Sequence, residues 1–197
     1  NGEEDLGVEY VSSFALLGID KEGLLSTDEK LEVLIARNAW QKELIWNRFS
    51  MDQLGMSISQ PDKVRRSSQT ISVGNTGNWS TKNYLPMGCL KNKETDSILF
   101  WQIEQNGSWY WEISDQDGHM YLQLSGPTEH QSHWWKNLKP GDTFASVPVS
   151  VGSACGDVEE AAGELTKYRR AIRRKNEDNE KLPVIFNDYM NCLWGDP

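Results

Sequence analysis

The pattern of apolar and polar positions predicts a chain built mostly from short β-strands. Leu31, Val33 and Ile35 alternate with charged or small neighbours, which is typical of a strand with one buried face. Similar stretches, bounded by Gly, Pro, Asn or Asp, predict further strands at residues 8–19, 40–49, 70–73, 84–90, 98–104, 108–114, 119–125 and 144–151. Pro86 indicates an edge or a bulge in the strand that contains it.

Two dipeptides predict how three of these strands pair. Asn106-Gly107 separates strands 98–104 and 108–114, and Asp117-Gly118 separates the next pair. Such dipeptides adopt the positive φ angles that tight hairpin turns require, so the pattern predicts a three-stranded antiparallel meander. Residues 115–118 also resemble the start of a calcium loop. The later ligands are missing, so a hairpin turn is the favoured interpretation.

One stretch has helical spacing. Asp157 is a predicted N-cap, and the acidic residues of the first turn suit the helix dipole. Apolar side chains fall three and four residues apart at Val158, Ala161, Leu165, Tyr168 and Ile172. The basic run 169–175 follows at the carboxyl end. A role in complementing the helix dipole and pairing with neighbouring acids is favoured there over RNA binding.

The last stretch, 182–197, predicts a different kind of element. An apolar run, residues 184–186, leads into Asn187 and Asp188 and then an aromatic-rich turn. Polar and aromatic side chains that follow a buried strand are typical of an α/β barrel site. The expected organisation is mainly β: a sandwich domain (1–155), a linker helix (156–181) and the first strand of a truncated (β/α)8 barrel (182–197).

Composition narrows the class of protein. The net charge is −9, and residues 1–34 hold nine acids against two lysines. Without a basic stripe, a nucleic-acid partner is not expected. No apolar run is long enough to span a bilayer or form a signal peptide, so no membrane partner is expected. The three cysteines have no CxxC spacing, which favours reduced thiols and a cytoplasmic location.

Few residues suggest chemistry by themselves. His130 and His133 have a spacing that can bind metal on a helix, but they lie in a predicted loop without a third ligand. A surface or packing role is favoured, and neither a metal nor a cofactor is expected. No phosphate-binding loop, dinucleotide fingerprint, HExxH or nucleophile elbow is found.

The nine tryptophans are the unusual count. Trp109 and Trp111 share one face of their strand, where stacking against a sugar is physically sensible but burial in a sandwich core is favoured. Trp79 lies in a loop of Gly and Asn that buries little. Its side chain either covers part of a neighbouring binding site or packs against its own loop.

Five segments together resemble glycoside hydrolase family 36, the retaining α-galactosidases of the melibiase and raffinose-degrading group. Residues 36–43 resemble its Ala-Trp-x-x-Glu-Arg strand, and 182–189 resemble the start of its catalytic barrel. Residues 106–109, 139–148 and 166–170 resemble its Trp hairpin, its Pro-Gly segment and the approach to its linker helix. The sequence departs from the family at Tyr189 and Met190, where Trp and Glu are usual.

The resemblance implies part of a β-supersandwich packed before a (β/α)8 barrel. In the family, two aspartates on later barrel strands act as nucleophile and acid/base, so this polypeptide alone is expected to be inactive. The implied substrate of the intact enzyme is an α-galactoside oligosaccharide, and sandwich domains of the family help subunits associate. The expected substrate-binding residues are Asn187, Asp188, Tyr189, Trp194 and Trp79.

Two alternatives stay open at this point. One is a carbohydrate-binding or scaffolding sandwich without any catalytic partner. The other keeps the enzyme but changes hydrolysis to galactosyl transfer between sugars, as in raffinose-type synthases.

Overall fold

The computed structural model describes residues 3–19, 30–56, 69–116 and 119–187. Within these ranges the secondary structure is mostly β, with three short or medium helices and one 3-10 turn, Asp52–Leu54. The strands are β1 Leu6–Val8, β2 Ser12–Leu17, β3 Leu31–Ala39, β4 Lys42–Ser50, β5 Ile71–Asn75, β6 Tyr84–Asn92, β7 Ser97–Ile103, β8 Trp109–Gln116, β9 His119–Ser125, β10 Lys136–Leu138 and β11 Val149–Cys155. The helices are α1 Glu129–Ser132, α2 Val158–Ile172 and α3 Glu177–Lys181.

The described strands form antiparallel sheets. A five-stranded sheet has the order β11-β7-β6-β3-β4, and a four-stranded sheet has the order β2-β9-β8-β5. β1 pairs with β10 in a two-stranded ribbon. The two larger sheets share one apolar core, which is the arrangement of a β-sandwich. The mainly β, antiparallel sandwich predicted from the sequence is confirmed.

The core between the sheets is built from alternate residues of their strands. Val33 and Trp101 come from the five-stranded sheet, and Trp111 and Leu122 come from the other. The rings of Trp101 and Trp111 meet edge to face, with centroids 5.2 Å apart. Gly88 makes room for this pair, because a Cβ there would lie 2.5 Å from the Trp101 ring. Burial of Trp111, the favoured interpretation of its pattern, is confirmed.

The predicted three-stranded meander is wrong in its first half. β7 pairs with β6 and β11, whereas β8 pairs with β5 and β9 in the other sheet. Residues 104–108 therefore cross between sheets instead of closing a hairpin. Neither Asn106 nor Gly107 has the positive φ of a tight hairpin turn. The β8–β9 hairpin is confirmed by the pairing of Gln116 with His119; Asp117 and Gly118 lie outside the described residues.

Two other strand predictions change in detail. The strand predicted at 144–151 begins only at Val149, where β11 meets the end of β7 at Ile103. Before it, Phe144 packs against Trp134 instead of joining a ladder. Pro86 lies in β6, where the register with β3 shifts between Ile35↔Gly88 and Arg37↔Tyr84. This bulge confirms the prediction for the proline, although β6 is an interior strand.

Helix α2 begins as the sequence predicted. The Asp157 carboxylate accepts a hydrogen bond from the backbone N–H of Val158 at 2.7 Å, and Glu160 Oε2 accepts from the Asp157 N–H at 2.8 Å. The first turns of α2 cover the outer face of the five-stranded sheet. Ala161 is buried there with Leu34, Cys89 and Ile98.

Charged side chains fix the start of α2 to the sheet. Arg48 donates to Glu32 at 2.9 Å and to Asp157 at 2.7 Å. The buried Lys91 ammonium donates to Asp96 and to the carbonyl oxygen of Gly156, each at 2.5 Å. The hydrogen bond from Arg48 lowers the pKa of the Asp157 carboxyl below its ordinary value.

By internal contacts the chain divides into Asn1–Glu164 and Leu165–Pro197. In the second unit, α3 has Asn176 as N-cap, so residues 176–181 contain a short helix where the sequence suggested only a polar link. Residues 183–187 pair with no strand in the described part of the chain, and the side chains of Val184, Ile185 and Phe186 are exposed. The barrel strand therefore stays a prediction, since 188–197 lie outside the described residues.

The described cysteines are free thiols: Cys89 is buried and Cys155 is exposed. Cys192 lies outside the described residues. In the part of the chain that the structure covers, no helix is long and apolar enough to cross a bilayer.

Candidate functional site

The structure places two of the five predicted binding residues. Trp79 lies in the loop between β5 and β6, and its side chain is 62% exposed. Asn187 is exposed in the second unit of the chain. Asp188, Tyr189 and Trp194 lie outside the described residues, so the expected cluster around them stays a prediction.

The backbone around Trp79 is fixed, although its ring is free. The buried side-chain amide of Asn75 donates a hydrogen bond to the Trp79 carbonyl oxygen. The indole N–H of Trp109 donates to the carbonyl oxygen of Ser80 at 2.6 Å. On the other side of the loop, the Gly77 N–H donates to Ser108 Oγ at 2.9 Å. The loop is therefore held from the sandwich while the Trp79 ring faces solvent.

A single asparagine connects this loop to the β3–β4 turn. The backbone N–H of Asn38 donates to the Asn83 carbonyl at 2.9 Å, and its side-chain amide donates to the Thr81 carbonyl at 2.5 Å. Its Oδ1 accepts from the Leu44 N–H at 3.3 Å. The turn between β3 and β4 carries Trp40, which is 90% exposed. Asn38 thus fixes two segments that each present an exposed tryptophan.

The groups that fix these two segments are amides, an indole, a hydroxyl and backbone carbonyls, so they hold the backbone without supplying an acid or base. An exposed indole can stack on the apolar face of a sugar. The sequence analysis did not single out Trp40 as a site residue because its pattern predicted a strand at 40–49. The Asn38-to-Gln41 turn, with Gln41 at φ 63°, explains its exposure.

The histidines lie elsewhere. His130 is in α1 and His133 caps that helix with φ 52°, its ring 3.8 Å from Glu129 Oε1. Across the described ranges, no group of three or more His, Cys, Asp or Glu side chains is arranged to hold a metal ion.

The outer face of the four-stranded sheet carries a polar cluster that the sequence analysis missed. Tyr110 and Tyr121 both donate their phenol hydroxyls to the Glu112 carboxylate, the Tyr121 bond measuring 2.9 Å. Burial raises the pKa of both phenols above the ordinary value, and the bond to Glu112 raises it further. The available signal was the alternation on β8: if Trp109 and Trp111 face the core, Tyr110 and Glu112 must face outward.

Similar folds are found among solved structures of α-galactosidases. Over 95% of this chain, the fold matches the family 36 α-galactosidase AgaB of Geobacillus stearothermophilus, with a TM-score of 0.70 and 14% sequence identity. A variant of AgaA from the same organism, in complex with raffinose, matches 91% of this chain with a TM-score of 0.68 and 14% identity. The galactosidase domain of AgaSK, an α-galactosidase-sucrose kinase, matches 78% with a TM-score of 0.59 and 19% identity.

The chain spans only about a fifth of those structures: 23% of AgaB, 22% of the AgaA variant and 18% of AgaSK. No protein-family model and no curated protein matches the sequence. At this identity the likeness establishes the fold: the chain is folded like one region of family 36 α-galactosidases.

Proposed function

We propose that this chain is the N-terminal β-sandwich region of an α-galactosidase-like retaining glycoside hydrolase, which releases terminal α-galactosyl residues from oligosaccharides. The observation that carries the proposal is the match of nearly the whole chain to one region of family 36 enzymes. The five motif segments, which occur along the sequence in the family's order, support it independently.

The sandwich itself has no catalytic role in this proposal. Hydrolysis with retention needs a carboxylate nucleophile and a carboxylic acid that protonates the leaving oxygen and then activates water. The resemblance assigns both to later strands of a barrel that would follow residue 182. The 197-residue chain alone is therefore expected to release no galactose from raffinose.

The substrate class follows from the same comparison. Structural neighbours include α-galactosidase variants in complex with raffinose and with stachyose. In the proposed site, Asp188 and Asn187 accept hydrogen bonds from sugar hydroxyls after the barrel strand. Tyr189 and Trp194 provide an apolar wall, and Trp79 adds a ring from the sandwich. The fixed backbone and free ring of Trp79 support that part of the proposal.

Calorimetric titration of galactose and raffinose into the complete protein, meaning the proposed enzyme with this sandwich and its barrel, tests the contacts between these residues and the sugar. Asp188→Ala should weaken binding by about tenfold or more, because it removes a charged hydrogen-bond acceptor. Asp178→Ala, in α3, is the matched control and should leave affinity unchanged. Unchanged affinity in Asp188→Ala would rule that contact out.

A second pair of variants tests Trp79. Trp79→Ala should weaken raffinose binding, whereas Trp135→Ala, an equally exposed tryptophan in another segment, should not. Equal effects of the two substitutions would remove Trp79 from the site.

Binding of raffinose without any cleavage by the complete protein would favour the carbohydrate-binding or scaffolding alternative. Longer galactosides among the products would indicate transfer.

A further inference from the structure

A groove of about 310 Å³ lies on the outer face of the four-stranded sheet. Its floor is formed by Tyr110, Glu112 and Gln123, which project from β8 and β9 away from the core. Tyr10 and the residues of α1 form its sides. The volume lies at the lower end of the range for small-molecule sites, which suits one sugar ring.

The floor is held in place before any ligand arrives. Both oxygens of the Glu112 carboxylate already accept a phenol hydroxyl, one from Tyr110 and one from Tyr121. An ionised carboxylate has about four acceptor positions, so Glu112 keeps capacity for hydroxyls of a ligand. The side chain that would recognise a ligand is thus oriented by two bonds, which lowers the entropy lost on binding.

The sides of the groove are fixed in the same way. The N–H of Glu129 donates to the carbonyl oxygen of Glu9 at 2.8 Å, joining α1 to the segment that carries Tyr10. Thr128 caps α1 by accepting from the Gln131 N–H at 3.0 Å. The Tyr10 side chain is 42% exposed, so part of its ring is free for contact with a ligand.

We propose that this groove, formed by Tyr10, Tyr110, Glu112 and Gln123, is a saccharide-binding site. Sugar hydroxyls donate and accept hydrogen bonds; Glu112 accepts, whereas the Gln123 amide does both. The exposed Tyr10 ring offers an apolar platform of the kind that packs on a pyranose face. Glu9 and Glu129 also line the groove and could attract a cation, but the amide N–H groups of Gln123 and Gln131 are donors that only a ligand with acceptor oxygens can use. The mixture of donors and acceptors therefore favours a pyranoside.

The test is a ¹H–¹⁵N NMR titration of the 197-residue chain with methyl α-galactopyranoside and with raffinose. Saturable shifts are expected at amides of Tyr10, Gln123 and α1. Glu112→Gln keeps the shape of the side chain and should weaken this binding about tenfold, as expected for loss of a charged acceptor. Tyr10→Ala, at a partly exposed position, should also weaken sugar binding. It is the second test of the site if Glu112→Gln fails to fold. Glu159→Ala, which removes an exposed carboxylate on α2 outside either proposed site, is the control and should leave the groove shifts unchanged.

Three results would overturn the proposal. The first is the absence of saturable groove shifts with either sugar. The second is unchanged sugar affinity in folded Glu112→Gln and Tyr10→Ala chains. The third is groove shifts with tetramethylammonium chloride but not with the sugars, which would assign the groove to cations. None of these results depends on whether the complete protein is an α-galactosidase. The groove proposal can therefore fail while the proposed α-galactosidase function stands.

Discussion

The outer faces of the two large sheets differ sharply. On the five-stranded sheet, Leu34, Cys89 and Ile98 are apolar and buried beneath the first turns of α2. On the four-stranded sheet, Tyr110 and Glu112 carry polar groups on the corresponding outward positions, and a groove lies over them. Antiparallel sheets commonly bury one face and solvate the other, and only the second sheet approaches that pattern, since Glu112 and Gln123 are partly exposed while Tyr110 is 8% exposed. The comparison separates a face used for stability from a face available for binding.

The covered face should lose the most when its packing is changed. Leu34→Ala is expected to lower the free energy of unfolding by about 2–5 kcal/mol, because it leaves a cavity under α2. The matched control is Leu17→Ala on β2 of the four-stranded sheet, where the side chain is 61% exposed and the change should be within about 0.5 kcal/mol. Urea unfolding of both variants measures the difference. Equal losses would mean that the two faces do not differ as described.

The attachment of α2 gives the next largest effect. Asp157→Ala removes both the N-cap and a partner of Arg48, and should cost about 1–2 kcal/mol. Glu159→Ala, an exposed position in the same turn, is the control and should change stability by about 0.5 kcal/mol at most. Urea unfolding, monitored by circular dichroism, measures the stability of both variants. A loss in Asp157→Ala no larger than that of the control would contradict the assigned cap.

Acid should remove part of this attachment. The hydrogen bond from Arg48 lowers the pKa of Asp157 in the folded protein below its ordinary value of 3.8. The ionised carboxylate then stabilises the fold above that value, and the contribution falls as the pH drops through the lowered pKa. Asp157→Asn keeps a capping side chain without the charge. Its stability deficit against the unchanged protein, measured by urea unfolding, should therefore shrink on acidification. A deficit that stays constant or grows would contradict the ion pair.

The open face should show a smaller effect. Tyr121→Phe removes one of the two hydroxyl donors to Glu112 and should cost about 0.5–1.5 kcal/mol. Tyr84→Phe serves as the control, because its ring contact with Arg37 does not need the hydroxyl. Thermal unfolding of the two variants measures the difference. A stability change in Tyr121→Phe no greater than in the control would show that Glu112 does not depend on this donor.

The sequence predicted the elements that depend on neighbouring residues. Asp157 capped its helix as expected, and β8 and β9 formed the expected hairpin, because both depend on nearby side chains and turns. The placement of β7 and β8 in different sheets was not predictable, since it depends on partners far along the chain. The dipeptide Asn106-Gly107 permits a hairpin but does not require one.

The same distinction between near and distant neighbours applies to the candidate binding residues. Trp79 was recognisable because its Gly and Asn neighbours cannot bury a ring. The groove at Glu112 was not, since it needs Tyr10 and α1 to meet β8 and β9, which are distant in sequence. Burial of Trp109 and Trp111 already implied that Tyr110 faces outward. The alternation along β8 therefore predicted part of the groove floor, but not the residues that form its sides.

The proposed α-galactosidase function is tested most directly by following raffinose cleavage by the complete protein with proton NMR. The account predicts release of galactose, with the α-anomer appearing first and the β-anomer growing only by mutarotation, as a retaining mechanism requires. The 197-residue chain alone should release none. The absence of galactose release by the complete protein, or initial appearance of the β-anomer, would contradict the account.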